Sequence, residues 1–147
     1  MKWKSTNIPL PEAYLFALLA GVIFHLTEPR PITGKKQLSR KSGALALLTG
    51  ILLGMWSVSA AGDKDLANQE ALITGGPYRF SRNPMYLGWT FISAGLALIF
   101  NSLWMLAALP FAFLYLHLVG IPGEEAKLAQ RFGQEFQRYR RQVHRYL

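Results

Sequence analysis

The sequence predicts an all-α fold, a polytopic membrane bundle of about four transmembrane helices followed by a C-terminal amphipathic helix. Three observations predict it. Apolar residues make up 51% of the 147 residues, and they fall in almost uncharged runs of roughly 16 to 24 residues, the length that crosses a bilayer core. Charges cluster between and after those runs, so the mean hydropathy of +0.17 averages two regimes. Near the C-terminus the pattern changes to an apolar stripe at helical spacing beside a basic ridge.

Each element has a local reason. Residues 1–11 are a short polar segment with Trp3 as an interface anchor. Pro9 and Pro11 frame a first span over residues 12–27. Lys2 and Lys4 precede it as in a signal peptide. Thr27-Glu28-Pro29-Arg30 stands where small residues would be needed for cleavage, so a retained helix is expected. His25, near the end of this span, reads as an interfacial histidine rather than a catalytic one. Pro29 and Pro31 then stop the helix, since proline lacks the helical N–H.

A basic loop over residues 32–42 leads to a second span, 42–61. Gly43, Gly50 and Gly54 recur there with Ala44, Ala46 and Ser57. Small residues let helix backbones approach, so this helix is expected to pack on its neighbours. The connector 62–83 contains an expected surface helix over Asp63–Ile73, broken by Gly75-Gly76-Pro77. A third span follows over 84–100, with Pro84 in the first turn, where its missing N–H costs nothing. Asn101-Ser102 makes an uncharged turn into a fourth span, 103–121, in which Pro110 predicts a kink.

Pro122-Gly123 is expected to end the fourth span. Residues 124–146 read as a helix, with Phe132, Phe136, Tyr139, Val143 and Tyr146 along one stripe. By itself this is the pattern of an interfacial helix on anionic lipid. The whole chain, 1–147, is read as a single membrane domain.

Charge sets the expected orientation. With four spans, the N-terminus, the 62–83 connector and the tail share one side and carry 2, 3 and 6 basic residues. The first loop on the other side has 5 and the Asn101-Ser102 turn none. The positive-inside rule then puts both termini in the cytoplasm. The net charge of +8 sits beside apolar spans, which points to lipid headgroups rather than nucleic acid. The absence of cysteine excludes disulfides, thiolate metal sites and cysteine nucleophiles. Three scattered histidines offer no metal spacing, and no phosphate-binding or dinucleotide glycine pattern occurs.

One stretch is denser in chemistry than a surface loop requires: Gly75 to Gly88, reading GGPYRFSRNPMYLG. It holds turn-formers, Arg79, Arg82, an amide and two tyrosines at the start of the third span. A helix N-terminus suits a carboxylate or phosphate, and the arginines add guanidinium donors. Glu124-Glu125 follows the Pro-Gly pair in the tail. Carboxylates there can simply complement the helix dipole. They can also accept ribose hydroxyls or pair with an ammonium group. A zwitterionic cofactor with a ribose would use both ends of such a site.

Gly76-Pro77-Tyr78-Arg79 with Arg82-Asn83-Pro84-Met85-Tyr86-Leu87-Gly88, then Glu124-Glu125, Leu128, Phe132-Gly133, Phe136, Tyr139, Val143 and Arg145, resembles the isoprenylcysteine carboxyl methyltransferase and phospholipid methyltransferase superfamily of integral membrane enzymes. The resemblance covers residues 66–147 and rests on the two motifs jointly. It implies a membrane methyltransferase that uses S-adenosylmethionine on a lipophilic acceptor, an isoprenyl or lipid carboxylate or a phospholipid amine, with the site facing the cytoplasm. It further implies that Tyr78, Arg79, Arg82, Asn83, Pro84, Met85, Tyr86, Glu124, Glu125 and Tyr139 hold the cofactor, and that Arg82, Glu125 and Arg145 are the catalytic set. Asn83 departs from the histidine usual in the isoprenylcysteine enzymes. Two other readings compete: an NADPH-using membrane reductase of related architecture, and a non-enzymatic membrane protein whose basic tail binds lipid or a partner.

Overall fold

A computed structural model describes residues 11–62, 64 and 71–147. The helices in order are α1 (Glu12–Thr27), α2 (Lys36–Ala61), a 3₁₀ turn (Gly76–Arg79), α3 (Pro84–Ile99), α4 (Leu103–Tyr115), a π-helical turn (Leu116–Gly120) and α5 (Ile121–Gln142). Trp3 lies outside the described residues. So do Asp63 and residues 65–70 of the expected connector helix, while Ala71–Ile73 are not helical.

α3 is the central helix. It packs along α2 on one side and α4 on the other, and α1 packs on α4. Glycines set the α2–α3 distance. A methyl group on Gly50 would come 2.5 Å from the Gly88 carbonyl oxygen, and one on Gly43 would come 2.7 Å from that of Gly95. The close approach expected of α2 therefore occurs, but through Gly43 and Gly50. A methyl on Gly54 would meet nothing within 4 Å, and Ala44 is exposed. On the other side Tyr14, fully buried, packs with Leu109, Ala112 and Leu116 and hydrogen-bonds Thr90.

The outer faces carry large exposed apolar side chains, among them Phe16, Leu26, Leu45 and Phe111. A surface this apolar suits lipid rather than water. Among the described residues two helices are long and apolar enough to cross a membrane: α2, and the continuous run Leu103–Gln142. α1 and α3 are apolar but have 16 residues each, about 24 Å against a hydrocarbon core of about 30 Å.

Three expected boundaries move. α2 starts at Lys36 rather than at 42. The basic residues before 42 are good helix formers, and the added turn is pinned where Ser39 Oγ donates to the Leu98 carbonyl (2.7 Å). Pro122-Gly123 does not end the fourth helix. Pro122 falls in the first turn of α5, where a missing N–H is tolerated, and the preceding π-helical turn takes up the change in register. The tail helix is not a straight rod to 146. It breaks at Gly133 (φ 48°, ψ −118°), a left-handed position open to a residue without Cβ, and it ends at Gln142.

Candidate functional site

The loop between the 3₁₀ turn and α3 meets the last residues of the chain. Val143 is extended (φ −122°, ψ 129°), which turns the next carbonyls toward that loop. The Arg82 amide donates to the His144 carbonyl (3.0 Å). Ser81 Oγ (3.2 Å) and Asn83 Nδ2 (3.0 Å) both donate to the Arg145 carbonyl. Ser81, 2% exposed, also accepts from the Asn83 amide (3.1 Å), a local turn closed by a hydroxyl. The Asn83 side chain is thus engaged with the tail, and no side chain caps α3.

Ion pairs reinforce the junction. Arg145 forks onto Glu125, with Nη2 2.8 Å from Oε2 and Nε 3.2 Å from Oε1; such bidentate pairing fixes both planes. Arg82 Nη1 lies 3.1 Å from the same Oε1, and the Arg82 and Glu125 side chains are only 10% and 12% exposed. One carboxylate therefore faces two guanidiniums. Arg82 Nη1 is within ion-pair range but not aligned to donate. Arg82 Nε and Nη1 are both buried donors without a hydrogen-bond acceptor among the described residues. Burying such donors unpaired is costly. Burial lowers the Arg82 pKa and the Glu125 charge opposes that shift. Arg145 is pushed up, first by its hydrogen bond to Glu125. The cluster has an excess of positive charge and of donors, which suits a carboxylate or another small anion.

A second carboxylate stands beside it. Tyr86 donates to Glu124 Oε1. Glu124 keeps contact with solvent, yet the surrounding protein raises its pKa by desolvation, against the pull of the Tyr86 hydrogen bond. On the other flank Tyr139, 7% exposed, donates its hydroxyl to the Tyr78 carbonyl (2.7 Å). Burial pushes the Tyr139 phenol up to about 12, so it remains a donor at neutral pH.

The sequence-derived residues do not all gather at one point. Arg82, Asn83, Glu125 and Arg145 form one connected cluster. Tyr86 with Glu124, and Tyr139 with Tyr78, border it. Arg79 instead lines an open cavity of about 670 Å³ with Glu135, Arg138, Gln142 and Tyr139, which stands between that cavity and the cluster. Pro84 and Met85 are buried at the start of α3. Two residues were not singled out from the sequence. Ser81 has a signal in hindsight, as a hydroxyl two residues before an asparagine at a helix start. His117 has a stronger one, as the only charge-bearing type in the apolar run 103–121; its Nδ1 is 3.0 Å from the Tyr146 hydroxyl. Among the described residues no group of histidine, aspartate and glutamate is arranged to hold a metal ion.

Comparison with known proteins adds a family. The family model described as phospholipid methyltransferase matches residues 38–135. Phosphatidylethanolamine N-methyltransferase B of Dictyostelium discoideum is 30% identical over 92 residues, which are 58% of this chain and 42% of that protein. A probable protein-S-isoprenylcysteine O-methyltransferase of Oryza sativa subsp. indica is 26% identical over 149 residues, covering 95% of this chain and 78% of that one. Its counterpart from subsp. japonica matches to the same extent. The match thus spans less than half the length of the first relative. No solved structure matches the chain.

Proposed function

The chain belongs to the phospholipid methyltransferase family, and from that premise we propose that it is an integral membrane methyltransferase using S-adenosylmethionine on a lipophilic acceptor. The observation that carries the reading is Arg82. Its buried Nε has no acceptor among the described residues and its Nη1 is poorly aligned to Glu125 Oε1, which fits the carboxylate of an amino-acid moiety, and Glu124 and Glu125 beside it fit ammonium and ribose hydroxyl groups. Arg82, Glu125 and Arg145 are the core of the binding site, with Asn83, Tyr86 and Glu124 around them. S-adenosylmethionine, when bound, supplies a methyl group already activated on a sulfonium. The protein's part is to orient donor and acceptor in line and to exclude water.

A carboxylate acceptor needs no base. An amine acceptor gives up a proton, and Glu124, whose pKa is raised, is the carboxylate suited to take it at Oε2, the oxygen that Tyr86 does not engage. The four apolar helices α1 to α4 cross the bilayer once each, with both termini and the site on the cytoplasmic side, as the distribution of basic residues favours. The relatives' names favour methyl transfer over nicotinamide reduction.

The test is incubation of membranes containing the protein with methyl-labelled S-adenosylmethionine, followed by separation of lipid from protein. Label is expected in the lipid fraction or in a prenylated peptide, and the fraction identifies the acceptor. Purified protein that binds NADPH tightly and ignores S-adenosylmethionine would sink the proposal.

A further inference from the structure

His117 lies in the π-helical turn between α4 and α5, at the end of an otherwise apolar run. An ionisable side chain in such a run needs a partner to offset its desolvation. It has one from the far end of the chain: Nδ1 is 3.0 Å from the Tyr146 hydroxyl. The two rings stack with centroids 5.8 Å apart, and both contact Phe113, at 6.2 and 5.2 Å. The His117 carbonyl also faces Arg145 Nη1 (3.4 Å). π-Helical turns recur at functional sites, since the extra residue re-aims one side chain and its carbonyl.

Among the described residues, 144 to 146 are therefore attached in three ways besides that carbonyl contact. Their carbonyls bind Arg82 and Asn83, the Arg145 side chain binds Glu125, and the Tyr146 side chain binds His117. The first two attachments consist of residues of the proposed site. The third ties the tail to a membrane helix outside it, as does the contact from Arg145 Nη1 to the His117 carbonyl, and among the described residues it is the polar tie that depends on a side chain of that helix. We propose that His117 is a positioning residue: through Tyr146 it docks the tail so that Arg145 holds Glu125 opposite Arg82. It acts on the site through the tail and touches no reacting atom. The inference rests on the methyltransferase reading for its kinetic consequence but not for the docking itself.

Two arms test it. In the first, hydrogen exchange at the Arg82 amide, which donates to the His144 carbonyl, is followed in the absence of any cofactor. His117→Phe keeps an aromatic ring against Phe113 and removes the hydrogen bond; Tyr146→Phe removes the same bond from the other side. Either is expected to speed exchange about tenfold, the double variant no further, and His117→Asn, which keeps a polar atom near the Nδ1 position, to restore protection. Unchanged exchange, additive effects, or no rescue by asparagine would overturn the docking. In the second arm the same variants are assayed with methyl-labelled S-adenosylmethionine. KM for it is expected to rise about tenfold with kcat within twofold, again rescued by His117→Asn. A fall in kcat at constant KM would overturn the positioning role. A wild-type protein that does not bind S-adenosylmethionine would defeat the functional proposal while the exchange arm still decides the docking.

Discussion

At one end of the bundle, α1 is joined to α2 and α3 to α4 through two short loops locked by amide chemistry. Asn101, in a left-handed conformation (φ 50°), accepts from the Ile32 and Thr33 amides at Oδ1 and donates from Nδ2 to the Thr33 carbonyl. Trp104 Nε1 donates to the Glu28 carbonyl (2.7 Å), and the Leu103 amide to that of Arg30 (2.8 Å). The other end joins the loop before α3 to the tail through Arg82, Glu125 and Arg145. At the first end the clip joins neutral groups, and the Asn101 amide is engaged at both its oxygen and its nitrogen. At the second, one carboxylate is shared by two guanidiniums, and buried Arg82 donors lack a hydrogen-bond acceptor among the described residues. A structural clip satisfies its own polar groups. A binding site keeps some of that capacity for its ligand, at a cost in stability.

The comparison breaks most visibly at Glu125. Glu125→Ala leaves Arg82 and Arg145 facing each other without a counter-charge, and losing one partner of a buried pair costs about 3–5 kcal/mol. Binding of S-adenosylmethionine, followed by calorimetry or by retention of the labelled cofactor, is expected to fall by at least about 100-fold. Retained affinity would remove Glu125 from the site.

Asn101→Gly should do the reverse. Glycine keeps the left-handed backbone and deletes the side-chain bonds, so the melting temperature in detergent drops in proportion to a loss of about 2 kcal/mol. Affinity for the cofactor stays within twofold. A large loss of affinity would mean that the two ends are coupled through the helices.

The smallest effect is at Glu124, and it has a sign. Its folded pKa is raised, so the folded state holds the proton more tightly than the unfolded chain. The stabilising contribution is present below the ordinary carboxylate range and is lost as pH rises through the folded value. Glu124→Gln removes that dependence while leaving an acceptor for Tyr86. Relative to the wild type it should gain stability between pH 4 and pH 7, by less than about 1 kcal/mol because the group meets solvent. Melting curves across that range with the opposite slope would contradict the assignment.

Much of this was legible in the residues. Runs of apolar residues announce helices because a backbone without water must satisfy itself, and α1 and α3 begin at Glu12 and Pro84, where the prolines marked them. Arg82, Asn83 and Glu125 were marked by residue type and by their place at helix starts, and Arg145 by the family resemblance. Arg79 was marked by the same signals as Arg82, yet it lines the open cavity, because the loop turns between them. Pro122-Gly123 carried a strong stop signal that a π-helical turn overrode.

The sequence by itself determined the elements: which segments are helical, how apolar they are, where charge collects, and that the 75–88 stretch and Glu124-Glu125 carry polar chemistry. Those are properties of period, propensity and composition, which act over a few residues. Tertiary structure decided the rest. It ended the tail helix at Gln142, delivered the Arg145 carbonyl to Ser81 and Asn83, set one carboxylate between two guanidiniums, and gave His117 a partner in Tyr146. These pairings join residues 20 to 64 positions apart in the chain. Their free energy comes from desolvation and geometry that exist only once the helices have packed.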